Sequence, residues 1–225
     1  MTVDQAINQL KEGLLPFANP IKSAVMKRYM KNNFDFLGIQ ALQRRKVQKE
    51  WMNDVNIYIS VDLRFEIIQN LWHLPEREFQ LVAIDWVGTW KKSTWTPEII
   101  EILEWMLLHK SWWDSVDLIA SHYVGAFLQM FPIVGSVFID HCRESNNLWL
   151  NRTAILFQLK YKKDTDVALL IAICHQFESN KVFFIQKAIG WALREFAKSY
   201  PNDIHDIVAD LQLIGLAKRE ALKHF

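Results

Sequence analysis

The chain has 225 residues, 51% of them hydrophobic and 13% aromatic, and its 26 basic and 25 acidic side chains leave a formal net charge of +1. This composition excludes a disordered or collagen-like chain, and seven glycines with six prolines are too few for the closely spaced turns of a β-sandwich or barrel. The two cysteines, Cys142 and Cys174, form no CxxC pair, which is typical of a reduced, intracellular protein.

Charge is balanced overall but uneven along the chain. The net charge is +5 over residues 1–50, −4 over 51–110, −3 over 111–150 and +3 over 151–225. A near-zero total usually argues against nucleic-acid binding, which depends on local positive potential. Two basic ends could still form a basic stripe if the chain curves, but ordinary solvated helix faces explain the same charges.

The apolar pattern predicts helices along nearly the whole chain and therefore an all-α fold. Pro75 and Pro97, each followed by glutamate, mark two helix starts, and helical periodicity continues through residues 149–161 and 183–198. No stretch alternates with period two for long enough to predict a strand.

Residues 118–139 carry no charged side chain and are long enough for a membrane span. Polar residues such as Ser121 and His122 interrupt them, and Pro132 breaks the run. We therefore expect two buried helices joined near Phe131 and Pro132. The N-terminus has no basic segment followed by an apolar one, so we expect a soluble, cytoplasmic protein without a secretory signal.

An internal repeat is visible as an apolar residue followed by an amide or acid. It occurs at spacings of 34, 37 and 35 residues in Phe79-Gln80, Trp113-Asp114, Leu150-Asn151 and Ile185-Gln186. The spacing predicts helix pairs of about 35 residues, the unit of an α-solenoid, in one domain over residues 1–225. Chance similarity among amphipathic helices is the alternative explanation.

The same period predicts which residues share a surface. Asp117, Arg152 and Lys187 are 35 residues apart, while Trp113 and Trp191 lie one helical turn from Asp117 and Lys187. In a solenoid these five residues would line one concave groove, and their chemistry suits a partly cationic ligand that is attached to phosphates. The adjacent Trp112 and Trp113 point about 100° apart on a helix, so only one of them fits a core seam.

Common catalytic motifs are missing. The seven glycines allow neither GxGxxG nor a phosphate-binding P-loop, GxSxG is absent, and the histidines and cysteines offer no zinc spacing. Catalysis by a carboxylate without metal or nucleotide cofactor is therefore the leading chemical possibility.

Several blocks, in order along almost the whole chain, resemble one known family. They are RYMKNNFDFLGIQ at 28–40, LPEREFQ at 74–80, KSWWDSVD at 110–117, AILFQLKY at 154–161, FFIQKAIGWALRE at 183–195 and KREALKH at 218–224. In these blocks the sequence resembles the AlkD family of DNA glycosylases, whose members are built from HEAT-like helical repeats. The match is weaker over residues 1–20, 91–109 and 125–146.

The resemblance implies an activity and a site. Asp117 matches the family's catalytic carboxylate, Trp113 and Trp191 match two indoles that pack against the cationic nucleotide, and Arg152 matches an arginine that holds the DNA backbone. Together with Lys187 from the 35-residue register, the expected DNA contacts are Tyr29, Gln40, Lys160, Arg194 and Lys198.

The expected reaction is hydrolysis of the N-glycosidic bond of purines alkylated at N3 or N7 in duplex DNA, without base flipping, metal or nucleotide cofactor. A carboxylate suits this chemistry because it stabilises the oxocarbenium-like sugar that forms when the base departs. We expect a monomer that acts on the nucleoid. Two alternatives are a non-catalytic DNA-binding member of the same fold and a helical scaffold whose tryptophans form a peptide groove.

Overall fold

The computed structural model describes residues 1–225, except for the side chain of Val61. Helices are the regular elements of the chain, and the β-type pairing among the described residues is one isolated parallel bridge between Asp35 and Glu76. The predicted all-α class is confirmed. The chain divides into two units, Met1–Thr94 and Trp95–Phe225, and the expectation of a single domain over residues 1–225 stays a prediction.

The first unit contains five α-helices around an apolar core. They are α1 (Val3–Leu14), α2 (Pro20–Tyr29), α3 (Ala41–Tyr58), α4 (Arg64–His73) and α5 (Arg77–Val87). The indole of Trp51 in α3 donates a 2.7 Å hydrogen bond to the carbonyl of Ala6 and packs edge-on against Trp86, with ring centroids 5.5 Å apart. These aromatic contacts join α1, α3 and α5, as expected for tryptophans that serve packing.

The loop before α3 is held by a buried carboxylate. Glu78 in α5 accepts hydrogen bonds of 2.9 to 3.0 Å from the backbone amides of Leu37, Gly38 and Ile39. Gly38 has φ +84°, and a Cβ there would lie 2.1 Å from the carbonyl oxygen of Asn19, so only glycine fits. These contacts fix the segment that leads into Gln40, one of the predicted DNA contacts.

The second unit contains nine α-helices. They are α6 (Ile99–Leu108), α7 (Trp113–Leu118), α8 (Gly125–Met130), α9 (Pro132–Glu144), α10 (Leu148–Leu156), α11 (Val167–Phe177), α12 (Phe183–Ala197), α13 (Ile204–Asp210) and α14 (Gly215–Ala221). A π-helical segment, Ile119–Val124, joins α7 directly to α8. Helix α12 is packed between α10 and α14, and α10 also contacts α7 and α9.

The close approach of α12 and α14 depends on Gly190. A Cβ at this position would lie 2.4 Å from Cβ of Glu220 and 2.8 Å from the carbonyl oxygen of Ala217. A side chain here would force the two helices apart. Gly190 therefore lets α14 bring Glu220 against the surface of α12.

The predicted helix boundaries are confirmed in part. Helices α5 and α6 begin close behind Pro75 and Pro97, and Pro132 separates α8 from α9. The predicted helix over 149–161 is too long: α10 ends at Leu156. Its continuation is replaced by a loop because the Gln158 side chain pairs with the backbone of Asp166, accepting at 2.7 Å and donating at 3.2 Å.

None of the described helices is both long and apolar enough to cross a membrane. The uncharged stretch 118–139 is instead divided among the end of α7, the π segment, α8 and α9. The expectation of two buried helices is wrong for α9, which exposes Ile133 and Val137.

The repeat position that the sequence marks with an amide has one structural role. The Gln80 amide donates to the carbonyls of Leu71, Trp72 and Leu74 at 2.8 to 3.1 Å, at the end of the preceding helix α4. The Asn151 amide donates to Cys142 and Ser145 at 3.0 and 2.8 Å, and the Gln186 amide to Glu178 and Asn180 at 3.3 and 2.6 Å. In each case an amide on the second helix of a pair satisfies carbonyls that the first helix leaves without an intrahelical partner.

Replacing Asn151 by leucine, which is nearly isosteric, should remove these bonds and leave two carbonyls at the end of α9 unsatisfied. We expect Asn151→Leu to lower the free energy of unfolding by about 1–3 kcal/mol, measured by urea denaturation. Asn146→Leu, at an exposed loop position, serves as the control and should change stability by less than about 0.5 kcal/mol. Equal effects of the two substitutions would contradict a capping role for Asn151.

Candidate functional site

A bidentate ion pair joins Asp117 in α7 to Arg152 in α10. Nε of Arg152 donates to Oδ1 of Asp117 at 2.7 Å, and Nη2 donates to Oδ2 at 2.9 Å. The side chain of Asp117 is only 15% exposed, and that of Arg152 only 5%. Such fork-to-fork contacts are stronger and more directional than single charged hydrogen bonds.

The same guanidinium also reaches α12. Nη1 of Arg152 donates a hydrogen bond to the carbonyl oxygen of Phe184, near the start of that helix. One side chain therefore ties α7, α10 and α12 together and fixes the orientation of the Asp117 carboxylate. The sequence also predicts that Arg152 binds the DNA backbone. That role stays a prediction, in addition to the structural role of Arg152 in orienting Asp117.

Opposing effects act on the ionisation of Asp117. Burial raises the pKa of its carboxyl above the ordinary value, the Arg152 guanidinium lowers the pKa through hydrogen bonding and charge, and nearby Asp114 raises it further. Burial is the largest effect, so the net shift is upward. The carboxylate is thus poorly solvated, and Arg152 is the group that favours its charged form.

Asp117 borders a cavity of about 160 Å³ together with Trp191. The full lining consists of Asp117, Leu118, Ser121, His122, Leu159, Lys160, Trp191 and Glu195. The structure thus brings three predicted site residues, Asp117, Lys160 and Trp191, to one cavity. Arg152 lies directly behind the carboxylate.

The helical angle of about 100° predicted between Trp112 and Trp113 is wrong, because Trp112 has extended backbone and α7 begins only at Trp113. Trp112 packs against Trp149 and Phe184, with ring centroids 5.5 and 5.2 Å away, and so belongs to an aromatic cluster. Trp113 is the half-buried first residue of α7, one helical turn before Asp117. Trp113 is not part of the lining of the Asp117 cavity.

Three predicted DNA-contact cations already have carboxylate partners. Lys187 and Arg194 both bind Glu220 of α14, each at 2.9 Å, and Lys198 binds Glu195 at 2.7 Å. Hydrogen bonds from Lys187 and Arg194 lower the pKa of Glu220 to about 2, so it is ionised at neutral pH. Lys160 is exposed beside the cavity.

The remaining predicted contacts, Tyr29 and Gln40, lie in the first unit. Tyr29 is the exposed last residue of α2 and borders an apolar cavity of about 350 Å³. Gln40 directly precedes α3, and its side-chain oxygen accepts a 3.1 Å hydrogen bond from Nζ of Lys22. Both side chains are exposed.

Three polar residues of the cavity were not anticipated from the sequence: Ser121, His122 and Glu195. In a regular α-helix the residue that shares a face with Asp117 is Ser121, four positions on. The π segment has i to i+5 hydrogen bonding, and His122 is five positions on. No local sequence pattern marks such a segment, whereas Glu195, one turn after Trp191, could have been found from helical spacing.

Among the residues that the structure describes, no group of three or more His, Cys, Asp or Glu side chains could hold a metal ion. The two cysteines are buried, and burial raises the pKa of both thiols. Neither thiol is therefore set up as a nucleophile.

Fold and site together define a helix-pair protein with a preorganised carboxylate beside an indole, and comparisons with known proteins identify its family. The family model described as DNA alkylation repair enzyme matches residues 10–225. A solved structure described as a predicted DNA alkylation repair enzyme from Enterococcus faecalis is 30% identical, covers 92% of this chain and 96% of its own, and superposes with a TM-score of 0.82. No curated protein matches the chain.

The chain therefore belongs to the DNA alkylation repair enzyme family. It is an enzyme of DNA repair, and its substrate is DNA.

The geometry of the ion pair predicts that the pKa of the Asp117 carboxyl depends on Arg152. Arg152→Gln removes the positive charge and the fork, so we expect the pKa of the Asp117 carboxyl to rise further, as measured by carbon NMR titration of labelled carboxyl groups. Arg143→Lys is the control, because Arg143 lies 3.6 Å from the carboxylate of exposed Asp140 and does not touch Asp117. An unchanged Asp117 titration in Arg152→Gln would show that the guanidinium does not maintain the charge.

Proposed function

We propose that the protein is a monofunctional DNA glycosylase that hydrolyses the N-glycosidic bond of cationic N3- or N7-alkylated purines in duplex DNA. Suitable substrates are 3-methyladenine and 7-methylguanine. The observation that carries the proposal is the buried, bidentate pairing of Asp117 with Arg152 at the edge of a cavity that Trp191 also lines. The protein acts as a monomer in the cytoplasm.

The reaction begins with a base that is already a good leaving group. As the bond between C1′ and the purine nitrogen breaks, its electron pair moves to the base, neutralises the cationic ring and leaves positive charge on the deoxyribose. A water oxygen then bonds to C1′ and releases one proton. The chain must therefore stabilise positive charge on the sugar and hold a water.

Asp117 fits both tasks. Arg152 uses one lone pair on each carboxylate oxygen, whereas an ionised carboxylate has about four such positions. The remaining positions can face the developing sugar cation and accept a hydrogen bond from the water. Because Arg152 fixes the carboxylate in advance, little reorganisation is needed during the reaction.

The size of the cavity supports recognition without base flipping. Its volume of about 160 Å³ is well below the roughly 300–1,000 Å³ of typical ligand pockets. It suits a water and the edge of a sugar better than an extruded purine nucleotide. Lesion choice would then depend on positive charge, which indole faces attract at Trp191 and Trp113.

The remaining DNA contacts are assigned to both units. In this proposal Lys160 holds the backbone near the lesion and the buried Arg152 acts by orienting Asp117, while Tyr29 and Gln40 contact the duplex from the first unit. Lys187, Arg194 and Lys198 can contact phosphates by sharing or exchanging their carboxylate partners.

The direct test is release of free base from a duplex that contains 7-methylguanine. Asp117→Asn preserves the shape of the side chain but removes the charge, so we expect the single-turnover release rate to fall about 100- to 1,000-fold while DNA affinity is retained. Asp140→Asn, at an exposed position of α9, is the matched control and should release base at the wild-type rate.

Unchanged release by Asp117→Asn would remove the carboxylate from the mechanism. Binding of methylated duplex by the wild type without any release would identify a non-catalytic DNA-binding protein instead.

The charge requirement can be tested at Trp191. Trp191→Leu should lower the release of 7-methylguanine by roughly 3- to 30-fold, because a cation–π contact contributes about 0.5–2 kcal/mol. Trp191→Phe should retain part of the activity, and Trp105→Leu on α6 serves as a packing control. Release of uncharged hypoxanthine at the same rate as 7-methylguanine would contradict recognition by charge.

A further inference from the structure

His122 lies on the π segment and lines the same cavity as Asp117 and Trp191. The imidazole is exposed, whereas Asp117 behind it is mostly buried. Because π-type hydrogen bonding spans five residues, this segment turns position 122 toward the side that carries Asp117. Such π segments within α-helices are frequent at functional sites.

The hydrogen bonds around His122 determine which ring nitrogen carries the proton. The Ser121 hydroxyl donates to the carbonyl oxygen of Asp117 at 2.6 Å, so its only hydrogen is used there. Its oxygen, 3.0 Å from Nδ1 of His122, must therefore accept a hydrogen bond from that nitrogen. The carbonyl of Leu118 is a second acceptor for the imidazole. Nδ1 is thus protonated, and Nε2 is the nitrogen that can take up a second proton.

The charged surroundings of His122 come from several elements. Lys160 follows α10, Glu195 on α12 is paired with Lys198, and Asp117 on the preceding helix is paired with Arg152. Glu104 of α6, the other helix packed against the π segment, is paired with His141 at 2.8 Å. Lys160 is the cation that acts on the imidazole, and the two acidic side chains of the cavity, Asp117 and Glu195, are already paired with Arg152 and Lys198.

These neighbours favour the neutral imidazole in the absence of DNA. Partial burial and the charge of Lys160 lower the pKa of His122 below the ordinary histidine value, and a hydrogen bond to the Leu118 carbonyl opposes them. An anion placed between Lys160 and Nε2 would reverse the balance, since it would attract both the ammonium and a protonated imidazole.

We propose that His122 and Lys160 form a phosphate-binding pair beside the Asp117 cavity, and that His122 takes up a proton on Nε2 when a DNA phosphodiester binds there. The proposal rests on the proposed function, because it assigns a further substrate contact to the same site. The proton comes from solvent and forms an N–H bond on Nε2, and no other covalent bond changes. Phosphate supplies the acceptor oxygens, Lys160 supplies a fixed charge and His122 supplies a charge that depends on pH.

The sign of the pH dependence follows from this linkage. Phosphate raises the pKa of His122 in the complex above that of the free protein, so affinity increases as pH falls through the interval between the two pKa values. Uptake of one proton corresponds to at most about a tenfold change in Kd per pH unit. Binding of a fluorescein-labelled, unmodified duplex, measured by anisotropy between pH 5.5 and 8 at constant salt, gives the slope.

His122→Gln keeps a polar side chain but cannot take up the proton. We expect this variant to bind the duplex as tightly as the wild type at pH 8 and more weakly than the wild type at pH 6. The slope of log Kd against pH should fall by up to one unit. His205→Gln, at an exposed position of α13, is the matched control and should keep the wild-type slope. Lys160→Met should weaken binding across the whole pH range.

A second measurement uses the wild-type protein and needs no variant. The pKa of His122, followed by NMR of the labelled imidazole, should rise when unmodified duplex is added. An unchanged pKa, or equal pH slopes for wild type and His122→Gln, would overturn the proposal.

Neither measurement depends on base release, so the two proposals can fail separately. Proton uptake without release of 7-methylguanine would support the phosphate-binding pair and refute the glycosylase. Release of 7-methylguanine without proton uptake would support the glycosylase and refute the phosphate-binding pair.

Discussion

The candidate site depends on one interaction, the two hydrogen bonds between the Arg152 guanidinium and the Asp117 carboxylate. A carboxylate that is 15% exposed loses most of its hydration, and burial alone would favour its neutral form. Arg152 opposes this effect by favouring the charged form and, through the Phe184 carbonyl, is itself fixed to a third helix. Replacing such a pair with apolar residues is often neutral or stabilising, so stability alone gives little reason for it. A function that requires a fixed negative charge is a better explanation for the buried ion pair.

The helix repeat explains how that pair is positioned. Asn151, the capping amide of its helix pair, holds α10 against the end of α9, and Arg152 is the next residue. Gln186 has the same role on α12, and Lys187 follows it. The capping amides set the register of each second helix, and the residues directly after them take positions related by the 35-residue period. Asp117 departs from this pattern, because it lies three residues after Asp114, the acidic residue at the equivalent repeat position, although it is 35 residues before Arg152.

Much of this arrangement could be predicted from the sequence, because periodicity reports which residues share a helix face. The all-α class, the break at Pro132 and the neighbourhood of Asp117 and Trp191 follow from spacing alone. Contacts with residues of distant helices cannot be predicted from spacing. Glu220 reaches Lys187 and Arg194 because Gly190 lets α14 approach α12, and no local pattern encodes that approach. The π segment is equally hidden, so His122 was missed, and the helix beyond Leu156 was overextended because Gln158 finds its partner in a later loop.

The ion pairs also change how the basic residues should be counted. Glu220 is ionised at neutral pH, so its cluster with Lys187 and Arg194 carries one net positive charge instead of two. Glu195 cancels the charge of Lys198 in the same way. Phosphate contacts at these residues must compete with a carboxylate, which lowers the affinity that each cation can supply. In a protein with a formal net charge of +1, weak general attraction to DNA leaves more of the selectivity to the lesion. In the proposed glycosylase, a positively charged base beside Asp117 and Trp191 would be the feature that undamaged DNA lacks.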